Sequence, residues 1–264
     1  TNIEAVREAI DDDTCCIFLE ILTNPQLEVA DLKAISEVAH EKNVPLVVDS
    51  TVIPFTQFSA KSLGVDIEVV SSSKYVSGGA TSLGGLVIDY GTPYNGDFAK
   101  RLYGEMLFNF GAYMTPQVAY MQTIGLEALD ARYRVQSGNA LELAKKLRSL
   151  PQIKYVNYVG LEDNPYHELA QRQFGKTAGA MICIDLESKE ACFIFLNNLK
   201  LIHRATNLFD NRSLAIHPAS TIFGAFSESM RKSMDVKDTT IRLSVGLEDV
   251  DDLFEDIKQA VNSL

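Results

Sequence analysis

A strand that runs into serines, a lysine and a glycine-rich loop constrains this chain more than any other stretch. Between Asp66 and Gly91 the sequence reads DIEVVSSSKYVSGGATSLGGLVIDYG. Ile67 to Val70 is the apolar strand, Ser71, Ser72 and Ser73 precede Lys74, and Ser77 through Gly85 supply small hydroxyls and glycines. A second strand, Leu86 to Ile88, follows too soon for a crossover helix, so it is expected to run antiparallel to the first. An amine among hydroxyls and close backbone suits a phosphate-bearing aldehyde: the amine forms a Schiff base and the rest binds phosphate oxygens. Upstream, Val47-Val48-Asp49 ends another strand in an acid, the group a pyridinium nitrogen needs. Each piece has a plainer reading as a solvated loop lysine or a turn-starting aspartate. Their order narrows the choice: strand and Asp, helix, strand and SxSK, glycine loop, strand.

The flanking sequence fills in that order. Cys15 to Leu19 is a short apolar run after three aspartates and reads as a buried strand, broken by the turn chemistry of Thr23-Asn24-Pro25. Leu32, Ile35, Val38 and Ala39 share one helical face, with Asp31 as N-cap and Asn43 as stop. Strand, helix and strand at this length imply a parallel pair with a right-handed crossover, and ligands in such sheets gather at the carboxyl ends, where Asp49 and Lys74 lie. Thr115-Pro116 opens a helix that is expected to stop near Gly125. A longer helix over 126–150 follows, with Leu129, Tyr133, Ala140, Leu143, Ala144 and Leu147 on one side. Beyond Pro151, strands and helices alternate to a closing helix carrying Leu253, Phe254, Ile257, Val261 and Leu264. The expected organisation is a large domain over 1–125, a connecting helix over 126–150 and an α/β C-terminal domain over 151–264.

In Thr240-Ile241-Arg242-Leu243-Ser244-Val245 the alternation sends Ile241, Leu243 and Val245 to a core and Arg242 to the other face. There Arg242 is either a solvated surface residue or a bidentate clamp for a carboxylate, a task guanidinium geometry suits.

Net charge is −11, from 24 basic and 35 acidic residues in 264, which argues against nucleic acid or an anionic membrane as partner. No apolar run reaches the roughly 18 residues of a membrane span and no signal peptide opens the chain. The four cysteines, Cys15, Cys16, Cys183 and Cys192, lack metal-ligand spacing. They read as buried thiols of a reducing cytoplasm, and no metal site is expected. None of the four histidines shows a Ser or Cys partner at catalytic spacing, and His217, before Pro218, reads as structural.

Glu20-Ile21-Leu22-Thr23-Asn24-Pro25, Val48-Asp49-Ser50-Thr51, Ser71-Ser72-Ser73-Lys74-Tyr75 and the glycine loop, in this order, resemble the Cys/Met-metabolism family of pyridoxal-phosphate (PLP) enzymes. RLSVGLED, from Arg242, resembles the C-terminal motif of that family. The resemblance implies an aspartate-aminotransferase-like α/β fold (fold type I, the PLP-dependent transferase fold), with a mostly parallel sheet in the large domain. It implies that Lys74 holds pyridoxal 5'-phosphate and shuttles protons, and that Asp49 keeps the ring nitrogen protonated. Ser71 and Ser73 match phosphate-binding hydroxyls, which a strand-end turn also explains. Thr51 matches a position near the cofactor, and Asn24 one near its phenolic oxygen. Arg242 and Asn207 match positions that hold the substrate α-carboxylate; for Asn24 and Asn207 a turn or cap role fits the residues equally.

Gly111-Ala112-Tyr113, Gly125-Leu126-Glu127-Ala128-Leu129 and Ser213 through Ser220 are most similar to the O-acetylhomoserine sulfhydrylases of the family. That implies γ-replacement on an activated homoserine ester by sulfide or another thiol donor, in a homotetramer built as a dimer of active-site dimers. Methionine or cystathionine γ-lyase and cystathionine γ-synthase remain alternatives, as does a non-catalytic remnant of the fold. The chain resembles only the middle and end of a family polypeptide, without the N-terminal third. Gly79 and Ala80 replace a usual His-Gly, Phe209 stands where glycine is usual, and Phe223 replaces a usual histidine. These departures put the substrate in doubt more than the reaction class.

Overall fold

The computed structural model describes residues 2–264. Its first half is the strand–helix–strand unit expected from the apolar runs. Helix α1 (Ile3–Ala9) precedes β1 (Ile17–Glu20), then α2 (Leu32–Glu41), β2 (Leu46–Asp49), β3 (Ile67–Val70) and β4 (Leu86–Asp89). Strands β1, β2 and β3 are parallel neighbours, and β4 closes the sheet antiparallel to β3, as the short glycine loop requires. Asp31 caps α2 by accepting from the Ala34 N–H at 3.1 Å, and Leu32, Ile35, Val38 and Ala39 are buried. The opposite sheet face is open: Phe18 is 60% and Val87 46% exposed, on the face that also carries Asp49.

A helical run over 98–110 follows, α-helical in α3 (Phe98–Arg101) and α4 (Phe108–Phe110) with a π-helical segment, Leu102–Leu107, between them. None of its residues is buried. Helix α5 (Pro116–Glu127) starts at the expected Thr115 cap but passes through Gly125, and α6 spans Leu129–Leu147. The expected stop at Gly125 and the 126–150 helix are therefore both shifted. Gly125 is a packing residue, since a Cβ there would collide with the Val76 carbonyl oxygen in the turn after Lys74. The predicted apolar face of α6 is buried throughout.

The second sheet has the order β5-β6-β9-β8-β7. Its elements are β5 (Tyr155–Asn157), α7 (His167–Phe174), β6 (Met181–Asp185), α8 (Lys189–Asn198), β7 (His203–Arg204), β8 (Leu214–Ile216), α9 (Glu228–Ser233), β9 (Thr240–Ser244) and α10 (Val250–Val261). Helices α6, α8 and α10 contribute to the core against it, through Leu143, Phe195 and Ile257 among others. Two expectations for the cysteines fail. The strand begins at Ile17, so Cys15 is exposed and Cys16 only half-buried, while Cys183 and Cys192 are buried as expected. No helix among the described residues is long and apolar enough to cross a membrane.

Candidate active site

Two loops far apart in the sequence meet around Lys74. The first leaves β3, and its glycines take the backbone through left-handed conformations at Gly78 (φ 75°) and Gly79 (φ 114°), which suit residues without a Cβ. The second, over 205–212, connects β7 to β8. Lys74 Nζ donates to Asn207 Oδ1 at 2.6 Å. Arg242, on the central strand β9, donates through one terminal nitrogen to the carbonyls of Thr206 and Asn207, both at 3.0 Å, and through the other to Asn24 Oδ1 at 3.2 Å. Lys74, Asn207, Arg242 and Asn24, expected from their motifs, thus form one hydrogen-bonded chain.

The electrostatics of this chain are unusual. Arg242 is 1% exposed, its Nε has no hydrogen-bond partner, and no carboxylate lies within ion-pair distance of it among the described residues. Burial pushes its pKa down to about 10, which leaves it cationic at neutral pH. A buried charge without a counter-ion is costly, so the site is set up to gain from an incoming anion. The solvated-surface reading of Arg242 is thereby excluded. Lys74 is half-buried, and burial first, then the Arg242 charge, lowers its pKa. More of it is then free amine at neutral pH than for an exposed lysine, the state a Schiff-base lysine needs.

A second group sits at the carboxyl ends of β2 and β3. Asp49 Oδ1 accepts from the Thr51 N–H at 2.9 Å, and Thr51 Oγ1 accepts from the Ser71 N–H at 2.8 Å. Ser73 Oγ accepts from the Gly84 N–H at 2.9 Å and donates to the Gly84 carbonyl at 3.2 Å, so this hydroxyl braces the glycine loop. Of the two candidate phosphate hydroxyls, Ser71 Oγ takes part in none of these bonds. Asp49 makes no hydrogen bond to Lys74 among the described residues. The two groups share one sheet edge through the Ser71-to-Lys74 turn, where the Lys74 N–H donates to the Ser71 carbonyl at 3.2 Å. Behind them, buried Glu68 accepts from Ser50 and Tyr90 on the far face of the sheet.

Several contributors carry no motif signal. Arg132 on α6 donates to the carbonyls of Tyr75 and Gly125, both at 2.7 Å, and ties the lysine turn to α5. Cys183, the cross-strand neighbour of Arg242, is buried with its Sγ 3.0 Å from the Pro25 carbonyl, and burial pushes its thiol up to about 12. Ser72 Oγ and Gln122 Nε2 are buried without partners beside Gly84. His217 is structural, as expected, yet it does have a serine partner: its Nδ1 lies 2.8 Å from Ser220 Oγ, and its Nε2 lies 2.8 Å from the Asp238 carbonyl. A cleft of about 560 Å³ continues along the same sheet face past Cys183, between Gln26, Asn157, Asp185 and Lys237; Lys74 is not among its walls.

The sequence model of the family described as "Cys/Met metabolism PLP-dependent enzyme" matches residues 1–262. The chain belongs to that family. Its cofactor is pyridoxal 5'-phosphate, and its fold is the aspartate-aminotransferase-like α/β fold. An L-methionine gamma-lyase of Fusobacterium nucleatum subsp. polymorphum is 36% identical over all of this chain and 66% of its own length. A Campylobacter jejuni structure, described as an O-acetylhomoserine (thiol)-lyase with a pyridoxyl-lysine phosphate, superposes with a TM-score of 0.95. It is 34% identical, over 99% of this chain and 69% of its own. An O-acetylhomoserine sulfhydrylase of methionine biosynthesis in Wolinella succinogenes superposes with a TM-score of 0.85 at 42% identity, over 98% of this chain and 75% of its own. Curated relatives are matched over 59 to 67% of their length, so the chain spans about two thirds or less of them.

Proposed function

We infer that these residues form the lysine side of a PLP site for γ-replacement, in which sulfide displaces acetate from O-acetylhomoserine to give homocysteine. The buried, counter-ion-free guanidinium of Arg242, two hydrogen bonds from the Lys74 amine through Asn207, is the observation that carries this reading. An amino-acid carboxylate bound at Arg242 would lie beside Asn207, the residue that also holds the Lys74 amine. The residues present fit the cofactor: a half-buried amine of lowered pKa, an acid at a parallel strand end and a hydroxyl-rich turn with a free serine. When bound, pyridoxal phosphate supplies an electron sink for negative charge at the amino-acid carbons. Lys74 would hold the aldehyde and move protons at the amino-acid Cα and Cβ, and Asp49 would keep the ring nitrogen protonated. Ser71 and Ser73 would bind the phosphate, Ser71 through its hydroxyl and Ser73 by bracing the glycine loop. Thr51 fixes Asp49, and Asn24 orients the Arg242 fork.

The identities to O-acetylhomoserine enzymes support replacement, and the identity to a methionine gamma-lyase keeps elimination as the second reading. The open face around Asp49, with Phe18 and Val87 exposed, supports assembly with further polypeptide, and we assign the working enzyme as a homo-oligomer. The test is borohydride reduction of the full-length protein followed by peptide mapping. Cofactor on the Lys74 peptide supports the assignment, and label on another lysine ends it. Ammonia and 2-oxobutyrate formed without sulfide would move the reaction to elimination; a protein that reduces no cofactor and turns nothing over would be a remnant.

A further inference from the structure

Three pairs of contacts run in register between the lysine turn and the loop over 205–212. Lys74 meets Asn207 through the 2.6 Å hydrogen bond. Tyr75 meets Phe209 as a parallel stack, with ring centroids 4.3 Å apart and planes 12° from parallel. Gly78 meets Asn211, whose side-chain amide donates to the Gly78 carbonyl at 2.9 Å. The middle pair is fully interior, since Tyr75 is 2% and Phe209 0% exposed. Phe209 also adopts a left-handed backbone with φ of 58°, a conformation disfavoured for a bulky residue. It is held there by three anchors: its N–H donates to Ser244 Oγ at 2.6 Å, the Asp210 carbonyl accepts from Gln136 Nε2 at 2.6 Å, and the ring stacks on Tyr75. Strained backbone that persists because its surroundings over-determine it is characteristic of functional sites.

We propose that Phe209 is a positioning residue: its stack on Tyr75 locks the 205–212 loop in the register that places Asn207 on the Lys74 amine. This deepens the reading of Lys74 as the cofactor lysine and goes beyond it. Among the described residues no other hydrogen bond or ring contact joins positions 208 to 210 to the lysine turn, and Leu208 is only half-buried. Without the ring, the anchor that ties position 209 to the lysine turn is lost while the two backbone anchors remain, so the loop can shift against that turn and carry Asn207 with it. Asn207 Oδ1 is the acceptor that favours the charged amine. The charge that bears on the amine from a neighbouring element is Arg242 on β9; Arg132 on α6 is bonded to the Tyr75 carbonyl, and Asp210 and Arg212 in the loop pair with each other.

The experiment is competitive acetylation of the cofactor-free chain with acetic anhydride across a pH series, read at the Lys74 peptide by mass spectrometry. Phe209→Gly removes the ring and gives position 209 a residue at ease with positive φ. The expected result is a lower titration midpoint for Lys74, with labelling at pH 8 raised about three- to tenfold, as loss of one ordinary hydrogen bond predicts at a half-buried amine that water also reaches. Tyr75→Phe keeps both rings and should leave the midpoint where it is. Should Phe209→Gly fail to fold, Tyr75→Leu removes the other ring and decides by the same midpoint. A folded variant whose labelling plateau rises while the midpoint stays put has gained only exposure, and overturns the proposal. Failure of Lys74 to bind pyridoxal phosphate would end the cofactor reading and leave this result standing, because no cofactor is used in the labelling.

Discussion

Replacing Arg242 tests the site through two quantities, one that should change greatly and one that should hardly change. A carboxylate contact made in a desolvated site and lost by truncation costs about 2 to 5 kcal/mol. On that basis Arg242→Ala in the full-length enzyme should raise KM on the order of 10²-fold or more. Arg242→Lys should recover only part, because an ammonium cannot reproduce the planar fork. Stability should respond quite differently. Breaking a buried ion pair usually costs about 3 to 5 kcal/mol because the surviving partner is left charged and unpaired. Arg242 leaves no such partner: the groups it releases are the Asn24 side chain and the Thr206 and Asn207 carbonyls, on half-buried or exposed residues that water can reach. Arg242→Met, which keeps volume and removes charge, should therefore change unfolding free energy by no more than about 1 kcal/mol. The assays are Michaelis curves on O-acetylhomoserine with sulfide, run beside O-succinylhomoserine and methionine, and urea unfolding of each variant. An unchanged KM for Arg242→Ala would refute the clamp. A loss of several kcal/mol in Arg242→Met would show that the guanidinium holds the fold instead.

Asp49→Asn should keep the fold, since an amide oxygen can still accept from the Thr51 N–H, and should weaken turnover in the reconstituted enzyme far more than cofactor uptake; equal turnover would remove Asp49 from the site. Because burial lowers the Lys74 pKa, charge on this amine costs stability below its folded titration and that cost vanishes as pH rises through it. Lys74→Met should therefore melt higher than the parent chain at neutral pH, with the gap closing in alkali; a gap independent of pH would contradict the burial argument. Gly138, in the exposed middle of α6 with open space where a Cβ would go, should gain about 0.5–1 kcal/mol on substitution by Ala. Gly125→Ala should instead lose about 1–3 kcal/mol and disturb the lysine turn, measured by denaturant unfolding and by Lys74 labelling.

How much of this was legible follows from how local each signal is. Strands β1 to β4 and β9 are marked by short apolar runs with turn residues at both ends. Helix α2 shows its cap, its stop and a complete apolar face, and these features need no knowledge of distant contacts. The helices α1, α3, α4 and α9 bury no residue, so they leave no periodic stripe to read. Gly125 misleads because glycine near a helix end has two uses, stopping a helix or admitting a neighbour, and only the approach of Val76 decides between them. Lys74, Asp49 and Arg242 are legible as candidates because motif order carries them. Arg132 and Cys183 act through partners far along the chain and offer no local pattern, and Tyr75, though part of the lysine motif, gives no sign there of its stack on Phe209. Phe209 was visible only as a departure from glycine, with no sign of what the ring would touch.

That distribution bears on how the site is held. Asp49 and Thr51 rest on a compact unit of neighbouring parallel strands, and their hydrogen bonds span at most 20 residues. The grip on the amine spans far more chain: 133 residues separate Lys74 from Asn207, and 218 separate Arg242 from Asn24. Local contacts of the first kind survive partial opening of a structure, whereas contacts of the second kind need both sheets assembled. The acid side should then persist under mild denaturant after the amine side has been lost. Hydrogen exchange separates the two: the Thr51 and Ser71 amides, which donate to Asp49 and Thr51, should stay protected at urea concentrations where the Phe209 amide, bonded to Ser244 Oγ, already exchanges. Simultaneous loss of all three would mean that the core shared by both sheets opens as one unit. The site would then be no more divisible than the fold that carries it.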